Sequence, residues 1–355
     1  MSTEGATPLL TAIRRLALGE SLSAAQVAAA FGSVMTGDAT AAQIAALLVG
    51  LRVKGETSAE IAGVAQALRA AMVPLPVEHA SDLVDTCGTG GGAVTTFNIS
   101  TAAALVAAGA GVRIAKHGNR SFTSLSGSAD VLEALGVAIE VSVTTMSRVL
   151  DEAGIVFMFA PLMHPAMRHV GPVRRELGIP TVMNVVGPLA NPARAGRQVI
   201  GVADERRLPL LAGALRELGT THAVIVHGTG LDEVSPLGPT RVLEVRGGGL
   251  TEWHLDPRDY DVPTATADEL AGGTPRENAS IITAVLRGEG NPGATSAVLL
   301  NAAAAIYVSG TVASFADAVG AARDALASGA GLTVLERLRA AAPRDLLLDI
   351  RARAP

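Results

Sequence analysis

Cysteine is nearly missing from this chain: one residue, Cys87, in 355. A single thiol excludes a disulfide framework within the chain. Cys87 lies beside a glycine-rich stretch, but no arrangement marks it as a nucleophile, and it reads as a small packing residue. Basic excess is missing too. A net charge of -5 excludes a globally basic nucleic-acid binder, so any basic loop reads as a local anion site. The opening MSTEGATPLL has neither a basic region nor an apolar one of the kind secretory leaders carry, and no long uncharged apolar span follows. A soluble, cytoplasmic chain with no membrane contact is expected. At 49% hydrophobic, 355 residues can bury a large core, and two domains are expected.

One further absence is local and points to a site. Between Thr86 and Ala129 there is no Asp or Glu, while Arg113, Lys116 and Arg120 are basic. A short apolar run, Leu83 to Thr86, enters the turn Gly88-Thr89-Gly90-Gly91-Gly92. An alanine-rich helix follows from about Ser100, then a strand over Val112–Ala115, then the polar loop Lys116-His117-Gly118-Asn119-Arg120. A third loop, Ser124 to Ser128, opens a helix carrying Val131, Leu132 and Leu135. Backbone N–H groups bared by glycine, hydroxyls, two helix N-termini and fixed cations together suit a phosphate or pyrophosphate. One glycine turn alone often serves only tight packing; three polar loops in an acid-free stretch are harder to read that way. The stretch from Gly88 to Ala93 also fits the dinucleotide pattern G-x-G-x-x-A. That fold wants an acid near the end of its second strand, where Lys116 and His117 stand here, so the nicotinamide reading is weak.

Around this stretch the pattern is helical first and α/β afterwards. From about Pro8 to Pro74 only helices are expected, three of them opened by the capping boxes Ser23/Gln26, Thr40/Gln43 and Thr57/Glu60. Nothing there suggests chemistry, and so thin a core is expected to dock on more chain. Strands are expected at Val137–Val141, Val199–Val202 and Ala223–Val226. A hairpin is expected from Val242–Val245 and Glu252–Leu255 across Gly247-Gly248-Gly249. His164-Pro165 opens a helix with proline in its first turn; it carries Arg168, Arg174 and Arg175 and ends near Gly178. Asp232-Glu233 follows a strand, where an α/β protein holds a hard cation such as Mg2+, although such a pair alone is more often plain surface.

The runs GTGG, TFNIST, KHGNRS and SGSADVLEALG, followed by HPAMRHVGPVRRELG, NVVGPLANPA, GLDEVS and LLNAAAAIYVSG, closely resemble the anthranilate phosphoribosyltransferase family over nearly the whole chain. The matches fall on polar loop residues, so they exceed a likeness of fold. The resemblance implies a small all-helical lobe, residues 1–76 plus about 160–186, which dimerises and faces anthranilate. It also implies a larger α/β lobe with a central, mostly parallel sheet, residues 77–159 and 187–355, in the architecture shared with class II nucleoside phosphorylases. By the same resemblance, phosphoribosyl pyrophosphate (PRPP) is held by Gly88, Gly90, Gly91, Gly92, Thr96, Asn98, Ser100, Thr101, Lys116 and Ser128. Anthranilate is met by Gly88, Asn119, His117, Arg174 and Pro188, with the Arg174 guanidinium on its carboxylate. Ser100, Asp232 and Glu233 serve Mg2+. A homodimer is implied, and no general base is assigned.

The chain departs from the family pattern in places. Gly92 and Ala93 stand where the loop is commonly GTGGDG, Leu125 where a cation often sits, and Met163 and Met183 where aromatics are frequent. Two other classes stay open. A pyrimidine nucleoside phosphorylase shares the architecture, but its phosphate loop reads K-H-S-T-G-G where this chain has Asp85-Thr86-Cys87-Gly88. A non-catalytic PRPP-binding protein would not need Arg174, Asn119 and Asp232-Glu233.

Overall fold

The computed structural model describes residues 7–92, 94–121 and 125–343. Ala93 and Ser124 lie outside the described residues. Four helices come first: Pro8–Ala17 (α1), Ala24–Met35 (α2), Ala41–Lys54 (α3) and Ser58–Ala71 (α4). The last three start at the expected capping boxes, with both reciprocal bonds formed in each. A cap of this kind stabilises a helix by about 1 kcal/mol. That matters for helices of only 12 to 14 residues.

The α/β region then runs Val84–Gly88 (β1), Ile99–Gly109 (α5), Ile114–Gly118 (β2), Ser128–Ala134 (α6), Val143–Ala153 (α7) and Ile155–Phe159 (β3). A short helix, Ala160–Met163 (α8), leads to Met167–Leu177 (α9). Next come Arg197–Gly201 (β4), Leu208–Glu217 (α10), His222–Gly228 (β5), Thr240–Arg246 (β6) and Gly249–Leu255 (β7). Four helices close the described chain: Pro275–Leu286 (α11), Pro292–Ser309 (α12), Phe315–Ala327 (α13) and Ala330–Ala341 (α14). The seven strands form one sheet in the order β3-β2-β1-β4-β5-β6-β7. Its first five members pair in parallel, and β6 and β7 are antiparallel. The fold is therefore the expected one: a helical bundle beside an α/β lobe with a mostly parallel sheet.

Strand alternation decides how the lobes join. Val199, Val224, Val226 and Val242 bury on the face covered by α5, α12 and α14. Ile200, Ala223, Ile225, Leu243 and Val245 bury on the opposite face, in one apolar cluster with residues of α1 to α4, α9 and α10. Helix α10 is the intermediary, touching α4 on one side and β5 and β6 on the other. Helix α9 packs on α2 and α3. The thin core of the first four helices is thus completed by later chain. Helix α12, 18 residues long, is apolar enough by length and composition to cross a membrane. It is 78% buried and packed on α5 and α13, as a core helix is.

Two sequence expectations need correction. Val137–Val141 is not a sheet strand. Beyond a single bridge of Val137 to Pro343 and a bond from the Ala138 N–H to the Ala342 carbonyl, it is buried irregular chain after α6. Its apolar residues are covered by packing rather than by pairing. Pro165 does not open the arginine-bearing helix either. It lies in a turn between α8 and α9, and the proline inside α9 is Pro172.

Candidate active site

Strands β1, β2, β4 and β5 all end in glycine, at Gly88, Gly118, Gly201 and Gly228. The chain after β5 returns across these ends. A β-carbon on Gly201 would lie 1.7 Å from the Asp232 carbonyl oxygen, and one on Gly88 would lie 2.7 Å from Asp232 Oδ2. No side chain fits at either position, so the Asp232-Glu233 segment lies directly on the backbone of the strand ends. The glycine loop is tied to the same place. Gly90 N–H donates to Asp232 Oδ2 at 2.8 Å, Thr89 N–H donates to the Gly201 carbonyl at 2.9 Å, and Ala203 N–H donates to Thr89 Oγ1 at 3.1 Å. Gly90 and Gly91 hold φ of 70° and 84°, and Gly92 sits beside Asp232.

Behind the loop, Lys116 projects from β2 into the protein and is only 3% exposed. Its ammonium donates to the Thr86 carbonyl, to Thr86 Oγ1 at 3.3 Å and to Ser100 Oγ at 3.2 Å. Ser100 stands in the first turn of α5, and its backbone N–H bonds to Glu233. Burial disfavours charge throughout this cluster. It pushes the Glu233 carboxyl up to about 8, helped by the charge of Asp232 and opposed by Lys116. It raises Asp232 against the Gly90 bond, and it lowers Lys116 against the attraction of Asp85, Cys87 and Glu233. Two half-buried carboxyls held close together, each with its charge disfavoured by burial, suit a cation. Among the described residues no group of three or more His, Cys, Asp or Glu is placed to hold a metal. A cation here would therefore complete its shell with hydroxyl, water or substrate oxygens, as Mg2+ commonly does.

On the other side, the turn from Gly187 to Asn191 receives two histidines. The His117 ring bonds the Gly187 backbone, next to buried Pro188, and the His164 ring bonds the Ala190 backbone. The rings lie 5.0 Å apart, and Nε2 of each is buried without a partner. Asp85, fully buried, anchors the turn. It accepts from Asn191 Nδ2 at 2.8 Å and from the His117 N–H at 3.1 Å. Burial lowers His117 to about 3, with His164 and Lys116 adding to the effect, and it lowers His164 to about 4.

These values predict an acid sensitivity. A histidine free in the unfolded chain titrates near 6.5. The contribution of each neutral ring is therefore fully present above that pH and is lost as pH falls towards 4 and 3. Glu233 acts in the opposite sense between its free value and about 8, so the readout must be a difference. In urea unfolding, the stability of the wild type relative to His164→Asn should fall by about 1.4 kcal/mol per pH unit below 6.5. A difference independent of pH would contradict this.

The structure brings Gly88, Gly90, Gly91, Gly92, Ser100, Lys116, Asp232 and Glu233 together, and groups His117 with Pro188. Asn98 is engaged close by: its amide donates to the Ser126 carbonyl at 3.0 Å and accepts from Asn278 at 2.9 Å. Thr96 bridges to Ala271 through its backbone. Ser128 Oγ donates to the Asn119 carbonyl at 3.3 Å, and Asn119 Oδ1 accepts from Arg120 N–H at 2.7 Å.

Other expected residues fall elsewhere. The Thr101 side chain is buried, lining a small internal gap with Leu105, Lys116, Leu132 and Phe157. Arg113 precedes β2, at its far end from the loops, and pairs with Asp151 at 2.8 Å. Arg120 is occupied by Asp130 at 2.8 Å and Glu133 at 2.6 Å, with its guanidinium over Phe159. Neither is a free anion ligand. Arg174 is half-buried on α9 and has no ion-pair or hydrogen-bond partner for its guanidinium among the described residues. Burial lowers its pKa.

A family model for the helical bundle domain of a glycosyl transferase family matches residues 10–72, and one for the a/b domain of the same family matches residues 80–332. Anthranilate phosphoribosyltransferase of Rubrobacter xylanophilus is 50% identical over 93% of this chain and 96% of its own length. The chain belongs to the anthranilate phosphoribosyltransferase family. The family enzyme of Thermomicrobium roseum is 49% identical over 92% of this chain and 95% of its own. Among solved structures, that of the Thermus thermophilus anthranilate phosphoribosyltransferase superposes with a TM-score of 0.87 at 43% identity, over 93% of this chain and 98% of that one. The Saccharomyces cerevisiae anthranilate phosphoribosyltransferase in complex with PRPP and Mg gives 0.84 at 29% identity, over 94% and 97%.

Proposed function

We propose that this chain transfers the phosphoribosyl group of PRPP to the amine of anthranilate, giving N-(5-phosphoribosyl)anthranilate and pyrophosphate, the second step of tryptophan biosynthesis from chorismate. One observation carries the reading: the Gly90 N–H bond to Asp232, which joins the glycine loop and the acidic pair into one site at the strand ends. In the reaction the C1′–oxygen bond breaks and its electron pair leaves with pyrophosphate. The aniline nitrogen then forms a bond to C1′ and sheds a proton. Such a step needs negative charge neutralised and the two substrates aligned; uncharged anthranilate nitrogen needs no strong base.

The loop from Gly88 to Gly92, with Thr96, Asn98 and Ser128 around it, cradles PRPP. Asp232, Glu233 and the Ser100 hydroxyl are the oxygen set for Mg2+, which when bound supplies charge neutralisation to the departing pyrophosphate. Lys116 acts by seating Ser100 and adding positive charge behind the phosphates. His117, held neutral against the Gly187–Asn191 turn, and Asn119, which follows it on the loop after β2, would meet anthranilate, with Pro188 flanking its ring and Arg174 taking its carboxylate. Loss of anthranilate fluorescence on mixing the protein with PRPP and Mg2+ tests the reading. Unchanged fluorescence, with thymidine phosphorolysis instead, would overturn it.

The same reading includes a cytoplasmic homodimer joined through the helical lobe. Leu18, 76% exposed at the C-cap of α1, and Val53, 81% exposed on α3, are large apolar side chains presented by two helices that pack together. Light scattering should give twice the monomer mass, and a monomer throughout the micromolar range would exclude this interface.

A further inference from the structure

Helix α12 carries one residue that its surroundings do not explain. Its sequence, PGATSAVLLNAAAAIYVS, is almost wholly small or apolar, yet Asn301 stands near its middle, 3% exposed. Asparagine is a poorer helix former than the alanines beside it, and a buried amide is costly unless every polar atom is bonded. Here every one is. Val234 N–H donates to Asn301 Oδ1 at 2.9 Å, and Asn301 Nδ2 donates to the Val234 carbonyl and to the Ala297 carbonyl, each at 2.9 Å. The side chain thus serves both backbone groups of one residue, as a neighbouring strand would. Val234 directly follows Asp232-Glu233, and Asn301 lines the same small internal gap as Ser100, Thr86 and Glu233. The segment is fixed just before and after as well: Gly228 and Leu231 exchange bonds at 3.1 Å, and Ser235 N–H donates to Thr240 Oγ1 at 2.9 Å.

We propose that Asn301 is a positioning residue for the acidic pair, holding the Val234 backbone so that Asp232 stays on the glycine loop and Glu233 on the Ser100 N–H. The inference rests on the reading that these carboxylates hold Mg2+. A carboxylate pair delivered by a loop binds a cation well only if the loop is already in place, and the groups that fix it set the affinity.

The test uses the full-length protein with Mn2+ as probe, read by its paramagnetic resonance signal in the presence of PRPP, together with amide hydrogen exchange over residues 229–235. Asn301→Leu matches the shape and removes all three bonds. It should weaken Mn2+ binding about tenfold or more and speed exchange of the Val234 amide, leaving KM for anthranilate near the wild-type value. Asn301→Asp keeps the acceptor for Val234 N–H but loses the donor, and should fall between the two; it carries the test alone if Asn301→Leu does not fold. Variants that bind Mn2+ and exchange like the wild type, with at most a lower melting temperature, would make Asn301 an ordinary core residue. The Asp232→Asn, Glu233→Gln protein is measured alongside. If it loses Mn2+ while the Asn301 variants do not, the inference on Asn301 fails and the metal reading stands. If it binds Mn2+ normally, the metal reading itself fails.

Discussion

Replacing Asp232 and Glu233 together by Asn and Gln should cut turnover by at least about a hundredfold, because charge stabilisation at a departing pyrophosphate is worth several kcal/mol. The fold should survive. The substitutions are close to isosteric, and the amide oxygen of the introduced asparagine can still accept from Gly90 N–H, as Asp232 Oδ2 does at 2.8 Å. Burial raises both carboxyls, Glu233 to about 8, so their ionised forms work against the folded state when no cation is present. The sign follows: whatever the protonated Glu233 contributes is present below its free value and lost as pH rises through about 8. Without metal, the double variant should therefore melt no lower than the wild type at pH 7, and its advantage should grow at pH 9. Turnover near the wild-type level at limiting Mg2+ would remove both residues from the mechanism. A lower melting temperature would make them structural.

Arg174→Ala should separate the two substrates. The guanidinium is half-buried, its charge disfavoured by burial, and no acidic partner faces it among the described residues. An unpaired cation in that state is matched by a planar carboxylate, which anthranilate has and PRPP lacks. KM for anthranilate should rise, with a transition-state cost on the order of 2–4 kcal/mol, while KM for PRPP moves little. Lys116→Ala should show the opposite pattern, through the loss of the Ser100 seat and of positive charge behind the phosphates. Arg174→Lys should recover only part of the loss, since a single ammonium cannot bond both carboxylate oxygens. Unchanged constants would make Arg174 plain surface. An equal loss for both substrates with a lower melting temperature would make it a strut between the lobes.

Local rules made much of this molecule readable from its residues. The capping boxes at Ser23, Thr40 and Thr57 set the starts of α2, α3 and α4. The hairpin turns where Gly247 and Gly248 allow it, with Arg246 opposite Gly249. What escaped depends on distant chain. Val137–Val141 has the pattern of a strand, but β2 is already flanked by β1 and β3. The acid-free stretch suggested three free cations, yet Asp130 stands one residue beyond its end and claims Arg120, and Asp151 claims Arg113. Asp85, just before that stretch, organises the turn at Gly187–Asn191 through a partner 106 positions away. Asn301 reaches across 67 positions, and a lone asparagine in an alanine-rich run gives no sign of it.

The shared core of the helical lobe and the sheet also sets a timetable for synthesis. Helices α1 to α4 leave the ribosome first, but the surfaces that complete their core, on α9 and α10, begin only at Met167 and Leu208. At bacterial or eukaryotic rates of translation that delay is on the order of ten seconds, far longer than a helix needs to form. For that interval the nascent helices lack the later part of their shared core, including Val170 and Val173 of α9 and Leu211 and Leu215 of α10. Helix α4 waits in the same way for α10. The capping boxes take on a second use here: each adds about 1 kcal/mol of purely local stability to α2, α3 and α4 while their later tertiary partners are still being made.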